Sequence, residues 1–143
     1  MQPHLVQFAQ VISWGLTVAV ETIRLVESDR DILLRLKRTT RIRNWNILCR
    51  WAFCISLADE SQTSVDPQGQ DSGVEMTWRV FGGQHAEIYW ALLIQRMVND
   101  GLTTDDANLS RYFYRHLHRG IGSLVNISTK PTLHQMFALT TKE

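Results

Sequence analysis

The sequence has few cysteines and no long uninterrupted hydrophobic run, and both shortages narrow the class of protein. Only two cysteines occur among 143 residues. Cys49 and Cys54 lie five positions apart in an apolar stretch, where buried free thiols are commoner than a disulfide or a metal-binding pair. We therefore expect two buried thiols, no disulfide and a reducing, cytoplasmic location.

The apolar stretch from Leu5 to Val20 lacks the pattern of a signal peptide or a membrane span. It has no leading positive charge, and it is interrupted by Gln7, Gln10, Ser13, Gly15 and Thr17. A span needs about 20 predominantly apolar residues, and a signal peptide needs a basic start. We expect no membrane association, and we treat residues 1–17 as an N-terminal extension.

The composition is typical of one globular domain. Hydrophobic residues make up 44% and charged residues 20%, which separates the chain from disordered and fibrous proteins. The length allows one domain with its own core but not two. We predict a single domain over residues 18–128 and a tail over 129–143. Five tryptophans exceed what so small a core usually needs, which favours a subunit interface.

The net charge is only +1, but the charges are sorted along the sequence. Residues 59–106 hold nine acids and two arginines. Residues 30–50 hold one acid, Asp31, and seven basic residues: Arg30, Arg35, Lys37, Arg38, Arg41, Arg43 and Arg50. The distribution of charges along the sequence says more about binding partners than the net charge does. This basic block is expected to bind anions.

The first part of the domain is predicted to form a strand and a basic helix. Residues from Val18 to Val26 alternate in character, so Ile23 and Leu25 should share one face of a strand. Ser28 and Asp31 form a capping-box pattern that predicts the start of a helix. That helix should carry an apolar side and an opposite cationic side.

The run from Trp45 to Ala58, which follows a turn near Arg43 and Asn44, is apolar nearly all round and predicts a buried helix. A small domain rarely surrounds a helix with its own chain alone, so this burial predicts a second subunit. Arg50, isolated among apolar residues, is expected to form an ion pair across that interface.

The middle of the chain is predicted to be irregular and then helical. The polar segment over residues 59–73 predicts a flexible loop, and residues 74–80 alternate as a strand or an extended loop would. A helix is expected from Gln84 to Asp100 with Gly101 as its left-handed cap. Its apolar stripe comprises Ile88, Leu92, Leu93 and Met97.

A last helix is predicted to start at the capping-box pair Thr103 and Asp106 and to end at Gly120. Its apolar stripe comprises Leu109, Phe113 and Leu117. The predicted fold class is therefore mainly α, a compact helical domain with an N-terminal strand-helix-helix segment like that of ribbon-helix-helix proteins.

The sequence predicts no catalytic residue, metal or cofactor. His116 and His118 are two positions apart, so on a helix they diverge by about 200°. Neither cysteine lies in a context that would activate a thiol. Gly120 and Gly122 admit a close backbone approach to phosphate, but a helix cap with tight packing is favoured.

Two hypotheses fit the basic helix, a solvated surface or a phosphate-binding face. The context favours phosphate, because the second helix offers free amides at its N-terminus. The order of elements from Val20 to Ala58 resembles ribbon-helix-helix proteins, in which two subunits pair their strands on DNA. The predicted DNA-binding residues are Arg24, Arg30, Arg35, Lys37, Arg38, Arg41, Arg43 and Arg119.

Three segments resemble the DndE family of DNA sulfur modification proteins: "LKRTTRIRNWNILCRWAFCISLA", "VEMTWRVFGGQHAEIYWALL" and "FYRHLHRGIGSL". The resemblance implies a role in DNA phosphorothioation, in which sulfur replaces a non-bridging oxygen of the DNA backbone, beside the DndC and DndD proteins. It also implies a helical homo-oligomer, a homo-tetramer in the type, that binds nicked or intact duplex DNA through basic residues.

Two alternatives remain beside a DNA-binding accessory subunit. Nicking activity has been attributed to some relatives, so the chain is alternatively a nicking endonuclease of the same system. It is otherwise an assembly adaptor, whose basic face contacts acidic surfaces of the sulfur-transfer proteins.

Overall fold

The computed structural model describes residues 18–128, and in this part of the chain a short strand leads directly into the first of several helices. In chain order the elements are β1 (Thr22–Val26), α1 (Glu27–Thr40), α2 (Trp45–Ala58), β2 (Asp71–Thr77), α3 (Trp78–Gly82), a 3₁₀ turn (Gly83–His85), α4 (Ala86–Asn99) and α5 (Asp106–Ser128). The mainly α fold class and the strand-helix-helix order are confirmed. The predicted extension over residues 1–17 and the tail over 129–143 lie outside the described residues.

The two strands pair with each other inside the chain. β1 runs antiparallel to β2, with Ile23 opposite Met76 and Arg24 opposite Glu75. Ile23 and Leu25 are buried, as the alternation predicts. A ribbon-helix-helix protein pairs this strand with a second subunit, whereas here the partner strand comes from the same chain.

The other edge of β1 is covered by a side chain of α5. The hydroxyl of Tyr114 accepts from the backbone N–H of Arg24 at 3.1 Å and donates to the carbonyl of Thr22 at 3.3 Å. Residues two apart in a strand point their backbone groups to the same edge. The hydroxyl of Tyr114 therefore occupies two backbone groups of β1 that would otherwise pair with a further strand.

The predicted capping boxes are wrong, although both helices exist. No side chain caps the start of α1, because β1 continues into it and the N–H of Glu27 donates to the carbonyl of Gln70 at 2.9 Å. At the start of α5 it is Asp105, not Thr103, whose carboxylate accepts from the N–H of Asn108, at 3.0 Å. An acidic side chain there also favours the helix dipole.

The core lies where α2 crosses α5. The inner face of α2 buries Leu48, Cys49, Ala52, Phe53 and Ser56. Phe53 contacts Phe81 and Phe113 with ring centroids 5.7 and 5.3 Å apart, within the range of favourable aromatic pairs. The chain therefore buries this face of α2 by itself, whereas Cys54 on the opposite face is exposed. The second subunit that the all-apolar run predicts stays a prediction.

Gly120 is the point of closest approach between the two central helices. A Cβ at this position would lie 1.8 Å from the carbonyl oxygen of Ala52. The expected helix end at Gly120 is wrong, because α5 continues through Gly122 to Ser128. Tight packing, one part of the favoured interpretation of these glycines, explains Gly120.

The predicted C-terminal cap of α4 is confirmed, but its predicted buried face is wrong in part. Gly101 has the left-handed φ of 75° that ends the helix. Leu93 and Met97 are buried, whereas Ile88 is 55% and Leu92 41% exposed. The buried face of α4 is instead formed by Trp90, Ala91, Leu93, Ile94 and Met97.

Three arginines hold the irregular segment that was expected to be a flexible loop over residues 59–73. Its last three residues belong to β2, so the irregular part ends at residue 70. Arg96 donates to the carbonyls of Leu57, Asp59 and Ser61 at 2.6 to 2.8 Å. Arg119 donates to the carbonyls of Ser56 and Ser61, and Arg115 pairs with Asp66 at 2.6 Å.

Replacing Arg96 with alanine should lower the free energy of unfolding by about 2 kcal/mol or more, because hydrogen bonds to charged groups contribute about 1.5–3 kcal/mol each. Its side chain is only 10% exposed and also pairs with Asp100 at 3.0 Å. Urea denaturation measures the change. Arg79→Ala, at an exposed position, serves as the control, and its free energy of unfolding should stay within about 0.5 kcal/mol of that of the unsubstituted protein. Equal effects of the two substitutions would refute the role of Arg96.

Within residues 18–128, no helix is long and apolar enough to cross a membrane.

Candidate nucleic-acid interface

The outward face of α1 and the turn after it carry basic side chains that are exposed and have no bonding partner among the described residues. Arg35, Arg38, Arg41 and Arg43 are exposed. Within residues 18–128, no hydrogen bond, ion pair or ring contact engages their side chains. Four of the predicted DNA-binding residues, on α1 and the turn after it, thus have their charges available.

Three other predicted residues are exposed or half-buried but already have partners. Arg24 pairs with Glu75 at 3.4 Å across the two strands, and both side chains remain more than half exposed. Arg30 pairs with Asp31 at 3.0 Å. The ammonium of Lys37 lies 3.8 Å from the ring centroid of Trp45, a cation–π contact. Surface ion pairs are weak, so Arg24 and Arg30 can exchange their partners for phosphate.

Arg119 lies elsewhere and is occupied. Its guanidinium donates to the hydroxyl of Ser56 at 2.8 Å and to the carbonyl of Ser61 at 2.7 Å. Its side chain is 19% exposed, and burial lowers the pKa of the guanidinium below its usual value. Its donors are directed at the C-terminal end of α2 and the adjoining loop rather than at the cationic face.

An open groove of about 1150 Å³ runs from the end of α1 along α2 to α4. Its cations are Lys37, Arg41, Arg43 and Arg50. Its apolar and aromatic lining is formed by Ile42, Ile47, Trp51, Cys54 and Tyr89. No acidic residue of the described chain lines it. We call this feature the cationic groove.

The turn between α1 and α2 positions the cations of this groove. Thr40 is buried, and its hydroxyl donates to the carbonyl of Leu36 at 2.6 Å while accepting from the N–H of Ile42 at 3.2 Å. Arg41 between them takes a left-handed φ of 63°, which is uncommon for a residue with a side chain. The turn directs Arg41 and Arg43 into the groove while Ile42 is buried.

Arg50 has a structural task within the chain. Its guanidinium donates to the carbonyl of Phe81 and, at 3.3 Å, to that of Val80. These carbonyls lie near the end of the short helix α3, where cations stabilise a helix, and that of Val80 also accepts from the side-chain amide of Asn46 at 3.2 Å. The expected ion pair of Arg50 with another subunit stays a prediction.

Sequence reasoning missed the aromatic part of the groove and misplaced one thiol. Ile47, Trp51 and Cys54 recur at helical spacing on the outer face of α2, a signal that the all-apolar run concealed. Tyr89 comes from α4, and nothing in the local pattern links it to α2. Cys54 is exposed, so its predicted burial is wrong, whereas Cys49 is buried and its pKa is raised to about 12 by that burial.

The two histidines of α5 face different neighbours. His116 is buried, and its Nδ1 lies 2.9 Å from the Ser56 hydroxyl. That hydroxyl also accepts from Nε of Arg119 at 2.8 Å. Burial lowers the pKa of His116 to about 4, so the ring is neutral.

His118 pairs with a carboxylate of α1. Its Nδ1 lies 2.8 Å from Oδ1 of Asp29, which is buried. Burial raises the pKa of Asp29 above its usual value, although the hydrogen bond and charge of His118 lower it. Among the described residues, no group of three His, Cys, Asp or Glu side chains is placed to hold a metal ion.

Comparison with known proteins gives one family and a fold. The model of the family described as DNA sulphur modification protein DndE matches residues 22–131. The fold is similar to the crystal structure of DndE from Escherichia coli B7A, which is described as involved in DNA phosphorothioation modification. The TM-score is 0.62 and the sequence identity is 22%, and the match covers 76% of this chain and 99% of that chain.

A second similar structure is that of a DndE mutant described as involved in DNA phosphorothioation. Its TM-score is 0.55, with 23% identity over 74% of this chain and 97% of that chain. No curated protein matches the chain. At these identities the likeness to both crystal structures shows the fold alone.

Proposed function

The chain belongs to the DndE family of DNA sulphur modification proteins, and we propose that it serves DNA phosphorothioation as an oligomeric, DNA-binding accessory subunit. It holds duplex DNA, nicked or intact, by its backbone while DndC and DndD, cytoplasmic like this subunit, act on it. The sulfur chemistry belongs to those partners.

One observation carries the proposal, the four exposed cations without partners on α1 and its following turn. Nine acidic residues of the chain lie in residues 59–106, and none of the described ones pairs with these cations. Phosphates along a DNA strand match a row of exposed cations. The N-terminus of α2 adds backbone N–H groups beside Arg43, since no side chain caps it; such an end attracts phosphate.

Exposed apolar side chains of α3 and α4 support self-association. Val80 of α3 is 52% exposed, and Ile88 and Leu92 of α4 are 55% and 41% exposed. Ile88 and Leu92 are one turn apart and share a face. Large apolar side chains grouped on a surface mark an interaction site, and we assign this one to the contact between subunits of the homo-tetramer that the family resemblance implies.

The salt dependence of DNA affinity tests the proposal. For the double variant Arg35→Ala and Arg38→Ala, we expect the slope of log affinity against log salt on duplex DNA to flatten by about 1.8, because each phosphate contact contributes about 0.9. We choose these residues over Lys37 because Lys37 also packs on Trp45. Fluorescence anisotropy at a series of salt concentrations measures the slope.

The matched control is Arg79→Ala with Arg111→Ala, which removes the same charge from exposed positions on α3 and α5. Its slope should equal that of the unsubstituted protein. An unchanged slope for the Arg35 and Arg38 variant would remove these residues from the DNA contact. Absence of any salt-dependent DNA binding by the unsubstituted protein would end the proposal.

A further inference from the structure

We propose that the cationic groove binds unpaired nucleotides of DNA, with their bases against Trp51 and Tyr89 and their phosphates on Arg41 and Arg43. This inference rests on the proposed function and adds to it a class of DNA structure. A nicked duplex keeps every base paired, so a nick alone does not create the unpaired bases that this groove would bind.

The charges of the groove favour a polyanion. Arg41 and Arg43 have no partner among the described residues, while Lys37 and Arg50 keep contacts with Trp45 and with backbone carbonyls. The described lining contains no carboxylate to offset them. A groove with concentrated charge of one sign focuses the field and attracts ligands of the opposite sign.

The lining of the groove distinguishes unpaired from paired DNA. Ile47, Trp51, Cys54 and Tyr89 form an apolar and aromatic surface between the cations. The outside of a duplex presents phosphates and sugars, which such a surface does not recognise. An unpaired base presents a flat apolar face, and stacking on aromatic side chains inside a basic groove is how proteins bind single strands without sequence preference.

The size of the groove fits more than one nucleotide. Its volume of about 1150 Å³ exceeds the roughly 300–1,000 Å³ of pockets that hold small molecules. The groove is also open rather than enclosed, so a strand can enter and leave along it. These dimensions suit a short unpaired stretch.

A second copy of the chain is the competing occupant, and charge argues against it. A two-fold contact through this groove would bring identical surfaces together, so the same cations would face each other with no described acid between them. Like charges set against each other in an interface lower affinity by about a hundredfold or more. The exposed apolar side chains of α3 and α4 offer the subunit contact instead.

The test compares a nicked duplex, in which every base is paired, with the same duplex carrying a two-nucleotide gap at the nick. Both contain 2-aminopurine, in one opposite a partner base and in the other within a two-nucleotide single-stranded gap. The full-length protein should bind the gapped duplex about tenfold more tightly. Binding should also quench the 2-aminopurine fluorescence of the gapped duplex only, because the exposed base stacks on an aromatic ring.

Variants separate this inference from the proposed function. Trp51→Leu should remove the tenfold preference and leave affinity for the paired duplex unchanged, while the Arg35 and Arg38 variant should weaken both DNAs equally. Circular dichroism checks that Trp51→Leu folds; should it not, Tyr89→Leu replaces it, and the fluorescence of the unsubstituted complex stands independently.

Equal binding of the two duplexes, without quenching, overturns the groove assignment and leaves the proposed function standing. Failure to bind either duplex overturns both. A change in oligomeric state of Trp51→Leu by sedimentation, with the gap preference intact, assigns the groove to a second copy and also overturns the inference.

Discussion

Substitution of Gly120 by alanine should lower the free energy of unfolding by more than about 3 kcal/mol, or prevent folding altogether. The added Cβ would meet the carbonyl oxygen of Ala52 at 1.8 Å, its carbonyl carbon at 2.3 Å and its Cα at 2.9 Å. All three are backbone atoms, which cannot swing away as a side chain does. Overpacking in a core costs about 1–3 kcal/mol and occasionally more, and here two central helices would have to separate.

Gly122 supplies the matched control because it lies two residues further along the same helix. A Cβ there would meet nothing within 4 Å. Alanine is favoured over glycine inside a helix by about 0.5–1 kcal/mol, so Gly122→Ala should stabilise the protein slightly. Guanidinium denaturation of both variants checks the result, and a similar effect of the two substitutions would refute close packing at Gly120.

Removal of His118 should lower the free energy of unfolding by about 3 kcal/mol at neutral pH. His118→Ala leaves the carboxylate of Asp29 buried without its partner, and breaking one half of a buried pair costs about 3–5 kcal/mol. The lower end applies because His118 itself is 29% exposed. His85→Ala, at an exposed histidine, should change stability by less than about 0.5 kcal/mol.

The pH dependence of the His118 variant follows from Asp29. The pKa of Asp29 in the folded state lies above the usual 3.8. Ionisation of this carboxyl therefore lowers the free energy of unfolding as the pH rises above 3.8. Loss of His118 raises the pKa of Asp29 further and enlarges this penalty. The destabilisation should therefore be largest at neutral pH and shrink as the pH falls through the folded pKa toward 3.8.

A second substitution tests the same cause. Asp29→Asn in the His118→Ala background removes the buried charge and should restore part of the lost stability. Thermal denaturation between pH 3.5 and about 7.5 follows both variants. A destabilisation that does not change with pH, or no recovery in the double variant, would show that His118 acts by packing alone.

The beginning of the fold could be predicted because its signals are local. The alternation around Ile23 and Leu25 specifies a strand, and the all-apolar run specified α2 to the residue, Trp45–Ala58. The partners of these elements could not be predicted. Whether β1 pairs with β2 or with another subunit depends on residues about 50 positions away, and no local pattern carries that information.

The candidate site divides in the same way. Arg35, Arg38, Arg41 and Arg43 could be selected from charge alone, because a cluster without intervening acids is visible in the sequence. Arg119 has the same side chain in a basic segment, yet its donors are used by Ser56 and Ser61. Only the tertiary structure separates a cation that serves the fold from one that is left available.

The stripe of α4 shows a third limit. Ile88 and Leu92 have the spacing of a buried face, but they are exposed, since Trp90 and Leu93 turn the helix toward the core. Helical periodicity identifies an apolar face without saying whether the chain or a partner covers it. In a protein that self-associates, both faces of a helix can be apolar.

The hydroxyl of Tyr114 on the outer edge of β1 limits how this chain can assemble or misassemble. Exposed strand edges are templates for joining sheets between molecules. Here the hydroxyl, carried by α5, holds a backbone donor and a backbone acceptor on that edge. Strand addition along this edge must first displace the hydroxyl from Arg24 and Thr22, so the packing of α5 opposes the joining of sheets between molecules through β1.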